Sequence, residues 1–211
     1  FGHAATVPSY LVRGGVRYLY LHRPGTQGPK RPRAFHWVAP DGSRVLAKND
    51  MECGYNGTIA PEMVNILVNF CRDTGLRFGL YVYGVGDHGG GPTRKDLLRG
   101  LDMQAWPVFP TVAFSTARTF FERLEHEGGG LPVLDCELNY EFAGCYTTQS
   151  LIKKANRLGE NRLRDAEMAA LAAAKVGGPA YPSVGFEAGW RDTLFNHFHD
   201  ILPGSGIHAT Y

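Results

Sequence analysis

The sequence has no run of 18 apolar residues, so nothing in it reads as a transmembrane helix. It also lacks an excess of either charge. Lys+Arg 22 against Asp+Glu 20 leaves a formal net charge of +2, which gives no electrostatic reason to expect a nucleic-acid or membrane partner. Cysteine is scarce. Cys53, Cys71, Cys136 and Cys145 show no C-x-x-C spacing, which removes support for zinc-finger and thioredoxin readings and leaves reduced, partly buried thiols as the expectation. No H-E-x-x-H is present, which disfavours a zinc protease. No leader is visible in the sequence either. The chain opens abruptly on Phe1-Gly2-His3, without Met or a basic and apolar lead-in, and the expectation is a stretch of a longer protein.

Apolar residues are plentiful, at 44% with 12% aromatic, enough for a packed core and too many for a disordered chain. The 27 glycines are nearly twice the roughly 7% of ordinary proteins, which predicts a loop-rich fold. Residues 4–12 read as a short helix stopped by Gly14-Gly15, and 16–21 as a strand. The basic Pro/Gly stretch 23–34 reads as a loop, and 35–46 as a hairpin turning on Pro40-Asp41-Gly42. Helices are predicted from Pro61 to a Gly75 stop, from Thr93 to Gln104, and from Ser115, as cap, to Glu127. Strands are predicted at 77–83, 108–114 and 131–138. Such alternation is the pattern of βαβ units with a parallel sheet or barrel. Beyond it the pattern turns helical, with 147–174 Ala-rich at its end and a last helix over 186–201. The domain boundary is therefore placed near Gly144, with α/β structure over 1–144 and helices over 145–211.

Polar chemistry gathers in four segments. Val85 to Thr93 (VGDHGGGPT) reads equally as a tight turn before a capped helix or as a site in which Asp87 and His88 take sugar hydroxyls or a metal. A phosphate cradle is a further reading, although no Lys-Ser/Thr closes the loop and the glycine spacing is not G-x-G-x-x-G. Asp135 and Glu137, two apart on a predicted strand, would share one face at the strand's end. There a carboxyl in a partly apolar setting can serve as a general acid; solvated surface carboxylates are the plainer alternative, and Glu141 is a third candidate. His197 and His199, two apart on the predicted last helix, cannot point the same way, so at most one of them serves a given metal. Phe1-Gly2-His3 is the fourth segment.

Taken in order, FGHAATVPSYLVRGGVRYLYLHRP, FHWVAPDGSRVL, YGVGDHGGGPTRKDL, ELNYEFAGCYTTQSLIKKANRLGE and LFNHFHDILPGSGI resemble the α-mannosidases of glycoside hydrolase family 38, most of all the bacterial and cytosolic branch. The resemblance implies a part of a catalytic (β/α) barrel followed by the start of a helical, three-helix-bundle-type middle domain. It implies a zinc-dependent retaining α-mannosidase working by the two-carboxylate scheme. Matched motif by motif, it makes Glu137 the acid/base carboxyl, with Asp135 and Glu141 in reserve. His199 becomes a zinc ligand and Asp200 a sugar contact. Asp87 and His88 line the sugar pocket, and Phe1 stacks near the mannose ring. The family's nucleophilic Asp, itself a zinc ligand, precedes the Phe-Gly-His motif, and an upstream H-x-D segment supplies two more ligands. Neither stands in this sequence, so most of the Zn2+ ligands are expected outside it and the stretch alone is expected to be inactive. The substrate implied is an α-mannoside, and a homo-oligomer stays open. The cytosolic-type motifs and reduced thiols point to a cytoplasmic home. The alternative is a non-catalytic carbohydrate-binding remnant of the same fold, and the residue-based runner-up is an anion binder using the Gly-rich loop.

Overall fold

Pro40-Asp41-Gly42 turns the chain because Gly42 takes φ 84°, and the Asp41 carboxylate accepts the Ser43 amide N–H at 2.9 Å. The strands on either side, β2 (Ala34–Val38) and β3 (Arg44–Asp50), pair antiparallel with Val38 opposite Arg44. In this computed structural model, which describes residues 3–25, 30–52, 54–86 and 89–211, the hairpin is the centre of a four-stranded sheet of order β1-β3-β2-β4. β1 (Tyr18–His22) runs parallel to β3, and the two-residue β4 (Val133–Leu134) runs parallel to β2. The chain divides into two compact units, Phe1–Glu141 and Phe142–Tyr211.

β3 is buried from Val45 to Asp50 because helices cover both faces of the sheet. On one face Phe35, Trp37, Val45, Ala47 and Leu21 pack with Leu138 and with Val7 and Leu11 of α1 (Val7–Arg13). On the other, Ala34 and Leu46 meet Phe70 of α2 (Met63–Thr74) and Phe120, Phe121 and Leu124 of α4 (Ala117–Glu127). Gly75 ends α2 in the left-handed region, as its position predicts. Thr93 caps α3 (Arg94–Met103) through a capping box with Asp96, also as predicted. α4 is capped by Thr116 rather than Ser115; the Thr116 hydroxyl accepts the Thr119 amide N–H at 3.2 Å.

Two predicted strands are not strands. Residues 77–83 and 108–114 carry no ladder, and near the first of them only the bridges Gly57–Gly84 and Val85–Gly91 form among the described residues. Alternating apolar residues show that a segment buries one side, and Phe78 and Leu80 do pack against the α2–α4 face. They do not supply a neighbouring backbone with free N–H and C=O groups, and a strand needs both.

The second unit is helical, as the sequence predicts. α5 (Ser150–Lys175) and α6 (Ser183–Phe195) pack where Gly189 meets Leu163 and Gly159 meets Thr193. Glu167 of α5 ties that helix to the α5–α6 connection and to α6, accepting the Tyr181 O–H at 2.7 Å and the Trp190 indole N–H at 3.2 Å. α6 ends earlier than predicted, so His197-Phe198-His199-Asp200 lies in turns beyond it rather than on a helix. No helix of the described residues is long and apolar enough to cross a membrane.

Candidate active site

The predicted strand 131–138 shrinks to β4, and the chain beyond Leu134 leaves the ladder. Asp135 and Glu137 remain on one side by the period-two pattern, both exposed, while Cys136 and Leu138 turn inward. The backbone groups lost to the ladder are taken by side chains and by the start of the chain. The Trp37 indole N–H donates to the Cys136 carbonyl at 3.0 Å. Arg31 Nη2 donates to the Glu137 carbonyl at 3.2 Å, and Nη1 to Cys136 Sγ at 3.4 Å. The Leu138 amide N–H donates to the His3 carbonyl at 3.0 Å. The Ala5 amide N–H reaches the Glu137 side chain itself, at 3.1 Å from Oε2.

Glu137 is thus an exposed carboxylate on a pinned backbone, with Oε2 taken by the Ala5 amide N–H. A group that hands a proton to a bound molecule needs both access and fixed position. Glu141, by contrast, is only 2% exposed and accepts the Gly25 amide N–H at 3.1 Å from Oε1. It is buried against the chain three residues beyond β1. Asp135 carries no bond comparable to those on Glu137 among the described residues. His3 stands close by. Burial holds its imidazole below the ordinary histidine value, the nearby Glu141 works in the opposite sense, and His3 Nδ1 is buried without a hydrogen-bond partner.

The Gly-rich loop is closed at its neck by Val85 and Gly91, whose backbones exchange two hydrogen bonds at 2.9 and 3.0 Å. Gly90 is required there, since any Cβ would collide with the Val85 carbonyl oxygen. Asp87 and His88, like Phe1, lie outside the described residues.

In the second unit the two histidines take different duties. His197 Nε2 lies 2.6 Å from Asn156 Oδ1 and 3.3 Å from Glu160 Oε1, both on α5. His199 is open, with Nε2 3.8 Å from Asp200 Oδ2 and its ring against Phe198. Asp200 also borders a hollow of about 640 Å³ lined by Leu194, Phe195, Phe198 and Ile201. Among the described residues no group of three or more His, Cys, Asp or Glu side chains could hold a metal ion. A protein zinc site takes at least three such ligands. His199 and Asp200 have the right chemistry for part of one, and the donor set among the described residues does not fit a zinc ion by itself.

Sequence reasoning passed over Trp37 and Arg31, which hold the Glu137 segment, and over a buried group at the ends of β1 and β3. There Lys48 Nζ lies 2.8 Å from Asp50 Oδ2, and the Tyr20 hydroxyl donates to the same oxygen at 2.9 Å and to the Gly54 carbonyl. Lys-Asn-Asp closing an otherwise apolar strand was the available signal for that group. Arg31 carried none, being one of several cations in a loop.

Comparison with known proteins identifies the family. The model of the glycosyl hydrolases family 38 N-terminal domain matches residues 1–140, and that of the alpha mannosidase middle domain matches residues 141–211. Alpha-mannosidase 2C1 of Homo sapiens is 33% identical over 212 residues, covering 98% of this chain and 20% of its own length. An alpha-mannosidase of Saccharomyces cerevisiae is 32% identical over 228 residues, covering all of this chain and 21% of its own length. The chain therefore spans about a fifth of the length of these curated relatives. The crystal structure of an alpha-mannosidase from Enterococcus faecalis superposes with a TM-score of 0.68 at 18% identity, over 99% of this chain and 26% of that one, a likeness of fold. With its two units matched end to end by the family's models, the chain belongs to glycoside hydrolase family 38.

Proposed function

We propose that this chain is part of a zinc-dependent retaining α-mannosidase that removes terminal α-linked mannose from glycans or oligosaccharides. The observation that carries the reading is the match of both family models, which together span residues 1–211. Supporting it, Glu137, the carboxyl that the resemblance assigns as acid/base, has its backbone and its side chain both tied down.

In the mechanism, Glu137 stands protonated beside the glycosidic oxygen and gives up its proton as the bond to the leaving group breaks. It then takes a proton from the water that releases the sugar. Ala5 steadies the carboxyl through Oε2. In the second unit, His199 would supply one zinc ligand and Asp200 a hydroxyl contact to mannose, with Asp87, His88 and Phe1 as further sugar contacts. Zinc, when bound, supplies positive charge at the sugar hydroxyls. Its remaining ligands and the nucleophilic carboxylate are not among the described residues.

The test is hydrolysis of an aryl α-mannoside by the natural full-length polypeptide, with and without a chelator. Turnover lost to the chelator and restored by zinc is expected. Mannose binding without turnover would overturn the reading in favour of a binding remnant. Stabilisation by phosphate with no effect of mannose would overturn it in favour of an anion binder.

A further inference from the structure

We propose that Lys153, with Tyr211, is a positioning residue for Asp200, fixing the backbone that aims its carboxylate at a mannose hydroxyl; this rests on the mannosidase reading above. Asp200 lies beyond α6, and residues 201–206 form neither helix nor strand. Backbone carbonyls in such a stretch must find partners outside a ladder or a helix. Two side chains of the second unit supply them. Lys153, near the start of α5, donates from Nζ to the Leu202 carbonyl at 2.9 Å and to the Thr148 carbonyl. The Tyr211 hydroxyl stands 3.2 Å from the Asp200 carbonyl oxygen and 3.0 Å from that of Ile201, and it accepts the Gly206 amide N–H at 3.0 Å. Gly204 closes the junction, since a Cβ there would stand 2.7 Å from the Thr148 carbonyl oxygen, and its φ of 81° is one that glycine tolerates. A compact ammonium with three rotatable donors suits two carbonyls from separate segments. Ile201 is buried, whereas the Asp200 side chain is 56% exposed. The result is an open carboxylate on a backbone held at the successive carbonyls of residues 200–202.

The consequence concerns one contact. A carboxylate holds a hydroxyl at about 2.5–3.0 Å, and such a bond weakens steeply with displacement. With the Leu202 carbonyl released, residues 200–202 relax and the carboxylate no longer meets its hydroxyl. A general loss of structure lowers the turnover of every substrate alike. A misdirected Asp200 instead costs only those substrates that carry the hydroxyl it holds.

The experiment measures kcat/KM for an aryl α-mannoside and for its 2-, 3-, 4- and 6-deoxy analogues, in the natural full-length polypeptide and its variants. Asp200→Ala identifies the hydroxyl: the wild-type preference for the mannoside over one analogue, about 10–100-fold, should fall to about threefold or less. Lys153→Met, which keeps the stem and drops the donors, should weaken that same preference by about fivefold and leave the others unchanged. Tyr211→Phe, which loses only the hydroxyl, should weaken it by about threefold. These ratios do not depend on how much of a preparation is folded. An unchanged preference in Lys153→Met would overturn the proposal and leave the mannosidase reading standing. So would a change in Lys153→Met with none in Tyr211→Phe, which would assign the effect to the lysine's charge and not to the held backbone. Full preferences in Asp200→Ala would remove Asp200 as a sugar contact, and this proposal with it. A wild-type protein that cleaves no mannoside would overturn the mannosidase reading itself.

Discussion

Glu137 and His199 carry the two principal chemical assignments of this chain, and they are held in opposite ways. The bonds to Glu137 come from Ala5 and Arg31, 132 and 106 residues away in sequence, and the carbonyl before it is held by Trp37, 99 residues from Cys136. His199 sits in a turn just past α6, its side chain 67% exposed, and its nearest polar neighbour is the adjacent Asp200. A group held by long-range bonds depends on the unit that delivers its partners. Changes behind it should therefore alter stability and turnover together, whereas a locally held group should show the two apart.

The largest effect should come at Glu137 itself. Replacing it by Gln keeps the shape and an oxygen for the Ala5 N–H but removes the proton, so turnover of a substrate with a poor leaving group should fall by about 10²–10⁴. Metal analysis should show zinc retained and the melting temperature should hardly move, because the side chain is exposed. Wild-type turnover in this variant would remove Glu137 from the acid/base role.

Trp37 sharpens the comparison from behind. Its side chain is fully buried and its N–H takes the Cys136 carbonyl. Trp37→Ala should destabilise the protein by about 3–5 kcal/mol. Trp37→Phe, which keeps most of the apolar volume and strands that carbonyl, should cost about 1–3 kcal/mol. Melting experiments read both losses, and turnover of the poor-leaving-group substrate should fall alongside. Trp37→Phe with unchanged turnover would mean that the segment does not depend on that bond.

The difference between the units also explains what was legible in the sequence. The hairpin was legible because Pro-Asp-Gly and its alternating neighbours act locally. So were the Gly75 stop and the Thr93 cap. The α/β-then-helical order was legible from periodicity. The strands at 77–83 and 108–114 were misread because pairing is decided by what lies alongside, and no local pattern records it. HFHD was misplaced on a helix because α6 stops at Phe195 with neither Gly nor Pro there to mark the end. Glu137 is a candidate from its spacing with Asp135 and from the resemblance, but its tethers were not legible, since nothing in RPGTQGPKRPR says which cation folds back onto residues 136–140.

His3 offers a pH test within the first unit. Burial depresses its folded value below the 6.5 of an ordinary imidazole. The unfolded chain therefore takes up a proton that the folded one resists, and the stability due to His3 is full above about pH 6.5 and is lost as the pH falls through it. Urea midpoints at pH 7.5 and 5.5 should differ more in the wild type than in His3→Asn. An unchanged difference would place the acid sensitivity elsewhere.

The smallest stability effects should separate the two histidines of the second unit, and they bear most directly on the contrast. His197 joins its turn to Asn156 and Glu160 of α5, so His197→Ala should cost about 1 kcal/mol and speed amide exchange over residues 193–202. His199 ties nothing together, and His199→Ala should leave stability within about 0.5 kcal/mol. The mannosidase reading reverses the order for function, since removing His199 should abolish turnover and release zinc while removing His197 should leave both largely in place. Two neighbouring histidines with opposite effects would show that openness, and not membership of the motif, marks the ligand. Equal stability costs would mean that His199 is held as firmly as His197, and the contrast with Glu137 would then fail.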